Sequence, residues 1–295
     1  MFSAHGFDAE SRWVRDGVGR ATYLAVGGTG SPTRILVHGG MSEAGNWALL
    51  AGRLEGQLAI ADRPGHGLSY AIDYRKVDDY FEAAADWLET VVAGLGETQV
   101  DIIGSSMGGF FATAFAASHP ERVRRLVLVA APAGLDRHLP IFIRLAGNAV
   151  TGRLLFRSSF ENPEQLRDVV YPSLAVNPDR VPSDQLEVEY QAALRPGLGL
   201  MAHTMFRAVS NLRGWRTRYL INERLRNLDI PTLIVWGEED TGFYPPALGQ
   251  DIAASMANGQ FVLLPDASHA PWIDQPDLTA EAINSFLDQQ LASAT

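Results

Sequence analysis

The chain has 295 residues, 46% of them apolar, with a formal net charge of −10 and no cysteine. That length and apolar content suit one large domain with a real buried core. The acidic balance argues against nucleic acid, whose phosphates need a basic surface, and against anionic membranes; the missing cysteine removes disulfides, thiol nucleophiles and thiolate metal sites.

The start, MFSAHGFDAESRWVRDG, has no basic region followed by an apolar stretch, and no run approaches the roughly 18 apolar residues of a membrane span. A cytoplasmic protein is therefore expected. Ser11 to Arg15 and Ala21 to Val26 read as two strands around the turn residues Asp16, Gly17 and Gly19. Short continuous apolar runs then recur at residues 34–38, 58–62, 100–104, 126–130, 232–236 and 261–265. Such runs suit strands buried on both faces of a mostly parallel sheet. Helix-length segments separate them: Trp47–Leu54, Val77–Leu95, Met107–Ser118, Ala247–Met256 and Asp277–Leu291. Alternating strand and helix predicts an α/β fold, whose sites lie at the carboxyl ends of the strands. The alternation stops over residues 133–227, which read as helical throughout with Pro and Gly breaks. They are expected to be a helical insertion over that edge, with residues 1–132 and 228–295 forming the core.

The motif Gly104-Ser105-Ser106-Met107-Gly108-Gly109 stands between a buried strand and a helix, the context in which G-x-S-x-G marks a nucleophile on a tight turn. Small residues are required around Ser106, and the Met107 amide would face a developing oxyanion at the helix start. A serine hydroxyl needs a base, and the base needs an orienting carboxylate. His269 follows the last buried strand and Asp240 the one before it, so both should meet Ser106 at one rim. Glu238 and Glu239 compete with Asp240, and Asp136 is a second choice. His38-Gly39-Gly40-Met41 also follows a strand; a Gly40 or Met41 amide would complete the oxyanion site. Asp62, Arg63 and His66, in the loop Asp62–Ser69, are read as residues that fix that loop, and His38 as a structural hydrogen-bonder.

With these pieces assembled, the chain resembles the α/β-hydrolase family over nearly its whole length. His38-Gly39-Gly40 resembles the family's oxyanion loop and Asp62–Ser69 its D-x-x-G-x-G-x-S loop. Gly104–Gly109 is similar to its nucleophile elbow, Trp236–Asp240 to its acid motif and Ser268-His269 to its histidine loop. The resemblance implies a mostly parallel eight-stranded sheet flanked by helices, with residues 133–227 as a helical cap. Ser106 stands where dehalogenases and epoxide hydrolases carry aspartate. Ser-Met-Gly-Gly and His-Gly-Gly resemble the meta-cleavage C–C hydrolases, but Ser105 and Ala270 stand where those typically have Asn and Trp.

The expected chemistry is acyl transfer to water without metal or organic cofactor, on a carboxylic ester, lactone or thioester of a fairly apolar small molecule. C–C bond hydrolysis, or another cofactor-independent reaction on the same triad, is the alternative; a non-catalytic ligand-binding protein is a third reading. Phe142, Met205 and Trp272 are candidate substrate contacts, and Phe156 is among the insertion's other apolar residues. A homodimer is compatible with the sequence.

Overall fold

Five of the six strands expected from apolar runs are buried on both sides or nearly so, and this is why their sequences run apolar without alternation; the sixth, Gly259–Leu264, is instead an edge strand that leaves Gln260 and Leu263 exposed. A computed structural model describes residues 1–130, 132–155 and 160–289 of the chain; Phe156 and Leu291 lie outside these. Its strands are β1 (Ala9–Arg15), β2 (Ala21–Gly27), β3 (Arg34–Val37), β4 (Leu58–Ala61), β5 (Val100–Ser105), β6 (Val123–Val129), β7 (Ser210–Asn211), β8 (Gly214–Trp215), β9 (Thr232–Gly237) and β10 (Gly259–Leu264). Eight of them form one sheet in the order β1-β2-β4-β3-β5-β6-β9-β10. Only β2 runs against its neighbours; the other pairings are parallel.

Successive residues of the central strands feed two different apolar layers. Ile35, Val37, Ile102, Leu126, Leu128, Ile234 and Trp236 pack on one face. Leu36, Ile103, Val127, Val129, Leu233 and Val235 pack on the other. The first layer is closed by helices Tyr80–Leu95, Met107–Ser118 and Pro246–Ser255, the second by Pro276–Leu287 and the single turn Ala48–Ala51. Fully burying each such side chain contributes roughly 1.5–3 kcal/mol, so register is strongly specified on both faces.

Three expectations shift at their edges. The helix predicted from Val77 begins at Tyr80, because the Asp79 carboxylate accepts from the amides of Phe81 (2.7 Å) and Glu82 (3.2 Å) and caps it there. The segment predicted as Trp47–Leu54 is a 3₁₀ turn, Ala44–Trp47, followed by Ala48–Ala51. The stretch between β6 and β9 is mostly helical but also holds the antiparallel ribbon β7–β8. Gly214 makes that ribbon possible: it sits at φ 109°, and a Cβ there would overlap the Arg137 carbonyl, which instead accepts from Trp215 N at 3.0 Å. Two-residue strands leave no periodicity to read.

The stretch between β6 and β9 packs into both layers. Leu166, Tyr171 and Leu186 join the second, and Met201, Met205 and Trp215 the first. Among the described residues no helix is long and apolar enough to cross a membrane.

Candidate active site

Ser106 begins where β5 ends, and its backbone is forced into φ 48°, ψ −113°. Such a conformation costs a non-glycine residue on the order of 1–3 kcal/mol and persists only where the surroundings impose it. Here they do. A Cβ on Gly104 would lie 2.6 Å from the Gly108 carbonyl oxygen, and one on Gly108 would collide with the Val37 carbonyl and come within 2.6 Å of that of His38. The elbow therefore presses directly against the end of β3 and the loop that follows it. Gly108→Ala is expected to lower stability by about 3 kcal/mol through overpacking; an unchanged thermal melting curve would show that the contact is looser than drawn.

Helix Met107–Ser118 starts immediately after Ser106, so the Met107 amide is the first of the helix and has no intrahelical acceptor. A Cβ built on Gly40 would lie 4.0 Å from Met107 Cβ. The His38–Gly40 loop thus runs alongside the helix start. Met41, at φ 59°, is 41% exposed and lines a cavity of about 90 Å³ together with Ser42, Arg195 and Met201.

The acid and the base come from adjacent strands. Asp240 lies three residues beyond β9 and His269 five beyond β10, and the two strands pair in parallel. The Asp240 carboxylate is 2.7 Å from His269 Nδ1. Both side chains are buried, at 1% and 5% exposure, whereas Glu238 and Glu239 are exposed. Asp136 is occupied in its own turn, accepting from His138 N at 2.9 Å. The other imidazole nitrogen, His269 Nε2, is buried without a hydrogen-bond partner.

Beneath the loop lies a buried polar cluster. Arg63 Nε donates to the His38 carbonyl (3.0 Å) and Nη2 to that of Gly39 (2.5 Å), while Arg63 N donates to His38 Nε2 (3.0 Å). Burial, and then the Arg63 charge, hold His38 and His66 well below the usual histidine range. Both ring nitrogens of each imidazole are already engaged, those of His38 with Gly39 O and Arg63 N and those of His66 with Pro64 O and Arg63 Nη2, so neither has a nitrogen free to act as a base. Asp62 accepts from Ala44 N (2.7 Å) and Leu68 N (2.6 Å), and Gly67 approaches its carboxylate too closely to carry a Cβ.

Trp272 is buried against Trp47, with ring centroids 4.9 Å apart. Phe142 is 53% exposed on the short helix Ile141–Ala146, and Met205 is sealed in the layer that holds Met107 and Phe110. The sequence reading missed two neighbours of His269. Phe243 stacks on the imidazole, centroids 4.1 Å apart and planes 25° apart. Asp274 accepts from Ser268 N (2.9 Å) and Val176 N (3.0 Å), and Ala270 N donates to Leu174 O (2.7 Å), so the histidine loop is tied to the segment between β6 and β9.

A model of the alpha/beta hydrolase family matches residues 35–282. The chain belongs to that family. This α/β-hydrolase is 29% identical over 282 residues to a 2-hydroxymuconate semialdehyde hydrolase of Pseudomonas sp. strain CF600, covering 94% of this chain and 93% of the relative. It is 27% identical over 239 residues to a pimeloyl-[acyl-carrier protein] methyl ester esterase of Neisseria meningitidis, covering 78% and 83%. A meta-cleavage product hydrolase from Pseudomonas fluorescens IP01 superposes with a TM-score of 0.74 at 20% identity, over 94% of this chain and 97% of the other. An esterase from Thermogutta terrifontis does so with a TM-score of 0.70 at 25% identity, over 95% and 98%. The chain is an enzyme of the hydrolase class.

Proposed function

We propose that this α/β-hydrolase cleaves a carboxylic ester, lactone or thioester of a fairly apolar small molecule through an acyl-enzyme on Ser106. The observation that carries the reading is the buried Asp240–His269 pair, which leaves His269 Nε2 as an unpaired nitrogen. With Asp240 holding a proton on Nδ1, Nε2 is the acceptor that takes the proton of the Ser106 hydroxyl as that oxygen attacks the carbonyl carbon. The amides of Met107 and Gly40 stabilise the oxyanion, and a water deprotonated by His269 then releases the acid. No cofactor takes part.

Phe243 has a part in this cycle. Its ring lies over the imidazole that becomes cationic at the transition state, and an aromatic face over a cation contributes about 0.5–2 kcal/mol. Phe243→Leu is expected to lower kcat about tenfold with KM little changed, and Phe243→Tyr should restore it. A loss carried by KM, or an unchanged kcat, would leave Phe243 only a packing role.

The test of the main reading pairs a fluorophosphonate probe with short p-nitrophenyl esters. Labelling of Ser106 together with ester turnover is expected. A protein that neither reacts with the probe nor turns over esters would remove Ser106 as nucleophile. Similarity to the 2-hydroxymuconate semialdehyde hydrolase favours a second reading, C–C bond hydrolysis on the same residues; labelling with only slow ester turnover would point to it.

A further inference from the structure

The Gly39 carbonyl, in the loop that follows β3, accepts two hydrogen bonds at once. Arg63 Nη2 donates to it at 2.5 Å and His38 Nδ1 at 2.9 Å. A third contact settles the tautomer. The Arg63 amide can only donate, so His38 Nε2, 3.0 Å from it, is the bare nitrogen and the proton sits on Nδ1. The remaining acceptors of the Arg63 guanidinium are His38 O and His66 Nε2, both neutral. Asp62, next to it in the chain, turns its two oxygens to Ala44 N and Leu68 N instead. Arg63 is fully buried, and a guanidinium keeps its proton. A buried cation with no carboxylate bonded to it is costly; this one is directed at a single stretch of backbone.

That stretch carries a candidate oxyanion donor. The Gly39 C=O and the Gly40 N–H belong to one planar unit, which is trans, so the two point in opposite directions. With the carbonyl turned into the cluster, the Gly40 amide is turned out of it. Gly39 is half-buried and Gly40 exposed, so the unit crosses from the buried side of the loop to the open one. A Cβ on Gly39 would lie 3.5 Å from Ser106 Cβ, and one on Gly40 4.0 Å from Met107 Cβ. The unit therefore runs beside the nucleophile and the start of helix Met107–Ser118. Among the described residues the Gly40 amide donates to no protein acceptor. The next unit lacks this bracing. Among the described residues nothing donates to the Gly40 carbonyl, and Met41 is 41% exposed.

We infer that Arg63 and His38 are positioning residues that hold and polarise the Gly39–Gly40 peptide, making the Gly40 amide, and not that of Met41, the strong donor to the oxyanion. The inference rests on the acyl-transfer reading of Ser106 and deepens it. Donors on the carbonyl end of a peptide draw electrons from its N–H end. Each such bond strengthens the next by about 10–30%, and a charged donor acts more strongly than a neutral one. Both residues act through the peptide and touch no reacting atom. Their effect grows as charge develops on the substrate oxygen, so it belongs to the transition state and not to substrate binding.

An aliphatic trifluoromethyl ketone is the probe. The Ser106 oxygen adds to its carbonyl carbon, the hydroxyl proton passes to His269, and the former carbonyl oxygen becomes a lasting oxyanion. Losing a whole oxyanion donor costs about 10²–10³ in rate. Arg63→Met leaves the donor but removes its main support. It should lower kcat for a p-nitrophenyl ester about thirtyfold, leave KM within about twofold, and weaken the ketone by the same factor as kcat. Arg63→Lys keeps the charge without the fork and should recover part of both losses. His38→Leu removes only the neutral donor and should cost about threefold in each. In the native protein, where no substitution disturbs folding, adduct formation should move the Gly40 amide proton resonance downfield by more than that of Met41. A loss carried by KM, a ketone affinity unaltered in Arg63→Met and His38→Leu, or a larger displacement at Met41 would overturn the inference alone. A native protein that forms no adduct and turns over no ester would remove the Ser106 reading, and the inference with it.

Discussion

Ser106→Ala is expected to cut turnover by about 10⁴-fold or more while leaving the melting temperature close to that of the native protein. The rate effect follows from removing the oxygen proposed to form the acyl-enzyme. The stability effect follows from backbone geometry, because alanine inherits the φ of 48° that Ser106 endures. Ser106→Gly separates the two. Glycine occupies positive φ at no steric cost, so releasing a strain on the order of 1–3 kcal/mol outweighs its greater unfolded-state entropy. The glycine variant should be as inactive as the alanine one and more stable by about 1 kcal/mol. Activity assays and thermal melts on the two variants check both parts. Undiminished activity in either would remove Ser106 from the chemistry, and a glycine variant less stable than the alanine one would mean that the elbow is not strained.

The fold was legible because the sheet is covered on both faces. Runs such as Leu126-Val127-Leu128-Val129 have no polar face to present, since alternate residues enter opposite apolar layers. Boundaries were less legible: Asp79 stops the helix predicted from Val77 by capping it, and capping is a matter of one side chain. The pairing of Asp240 with His269 could be anticipated because each follows one of two neighbouring parallel strands. What escaped depends on chain segments that meet only in three dimensions. Phe243 reaches His269 across 26 residues and Glu189 reaches Asn46 across 143, and neither carries a local pattern. Residues 210–215 were expected to be helical, and their ribbon is set by a single close approach at Gly214. Apolar character, all that Phe142 and Met205 show in the sequence, does not distinguish an exposed side chain from a sealed one.

Asp240→Asn should cost about 10⁴ in kcat with little change in fold. A carboxylate at 2.7 Å from His269 Nδ1 can only accept, which fixes the proton there and leaves Nε2 bare. An asparagine can offer its NH₂ group instead. The imidazole then turns to the tautomer with a proton on Nε2, the nitrogen proposed to receive the Ser106 proton, and the imidazolium also loses its counter-charge. Three control substitutions decide whether this carboxylate is special or the rim merely needs negative charge. Glu238→Gln and Glu239→Gln remove exposed charges within two residues of Asp240, and Asp136→Asn alters a turn whose carboxylate is already engaged with His138 N. Each should leave kcat within about twofold, since exposed charges are screened by solvent. A large loss in Asp136→Asn with Asp240→Asn near native rate would transfer the orienting role to the other strand end. Comparable losses in all four would mean that the rim acts through its summed field.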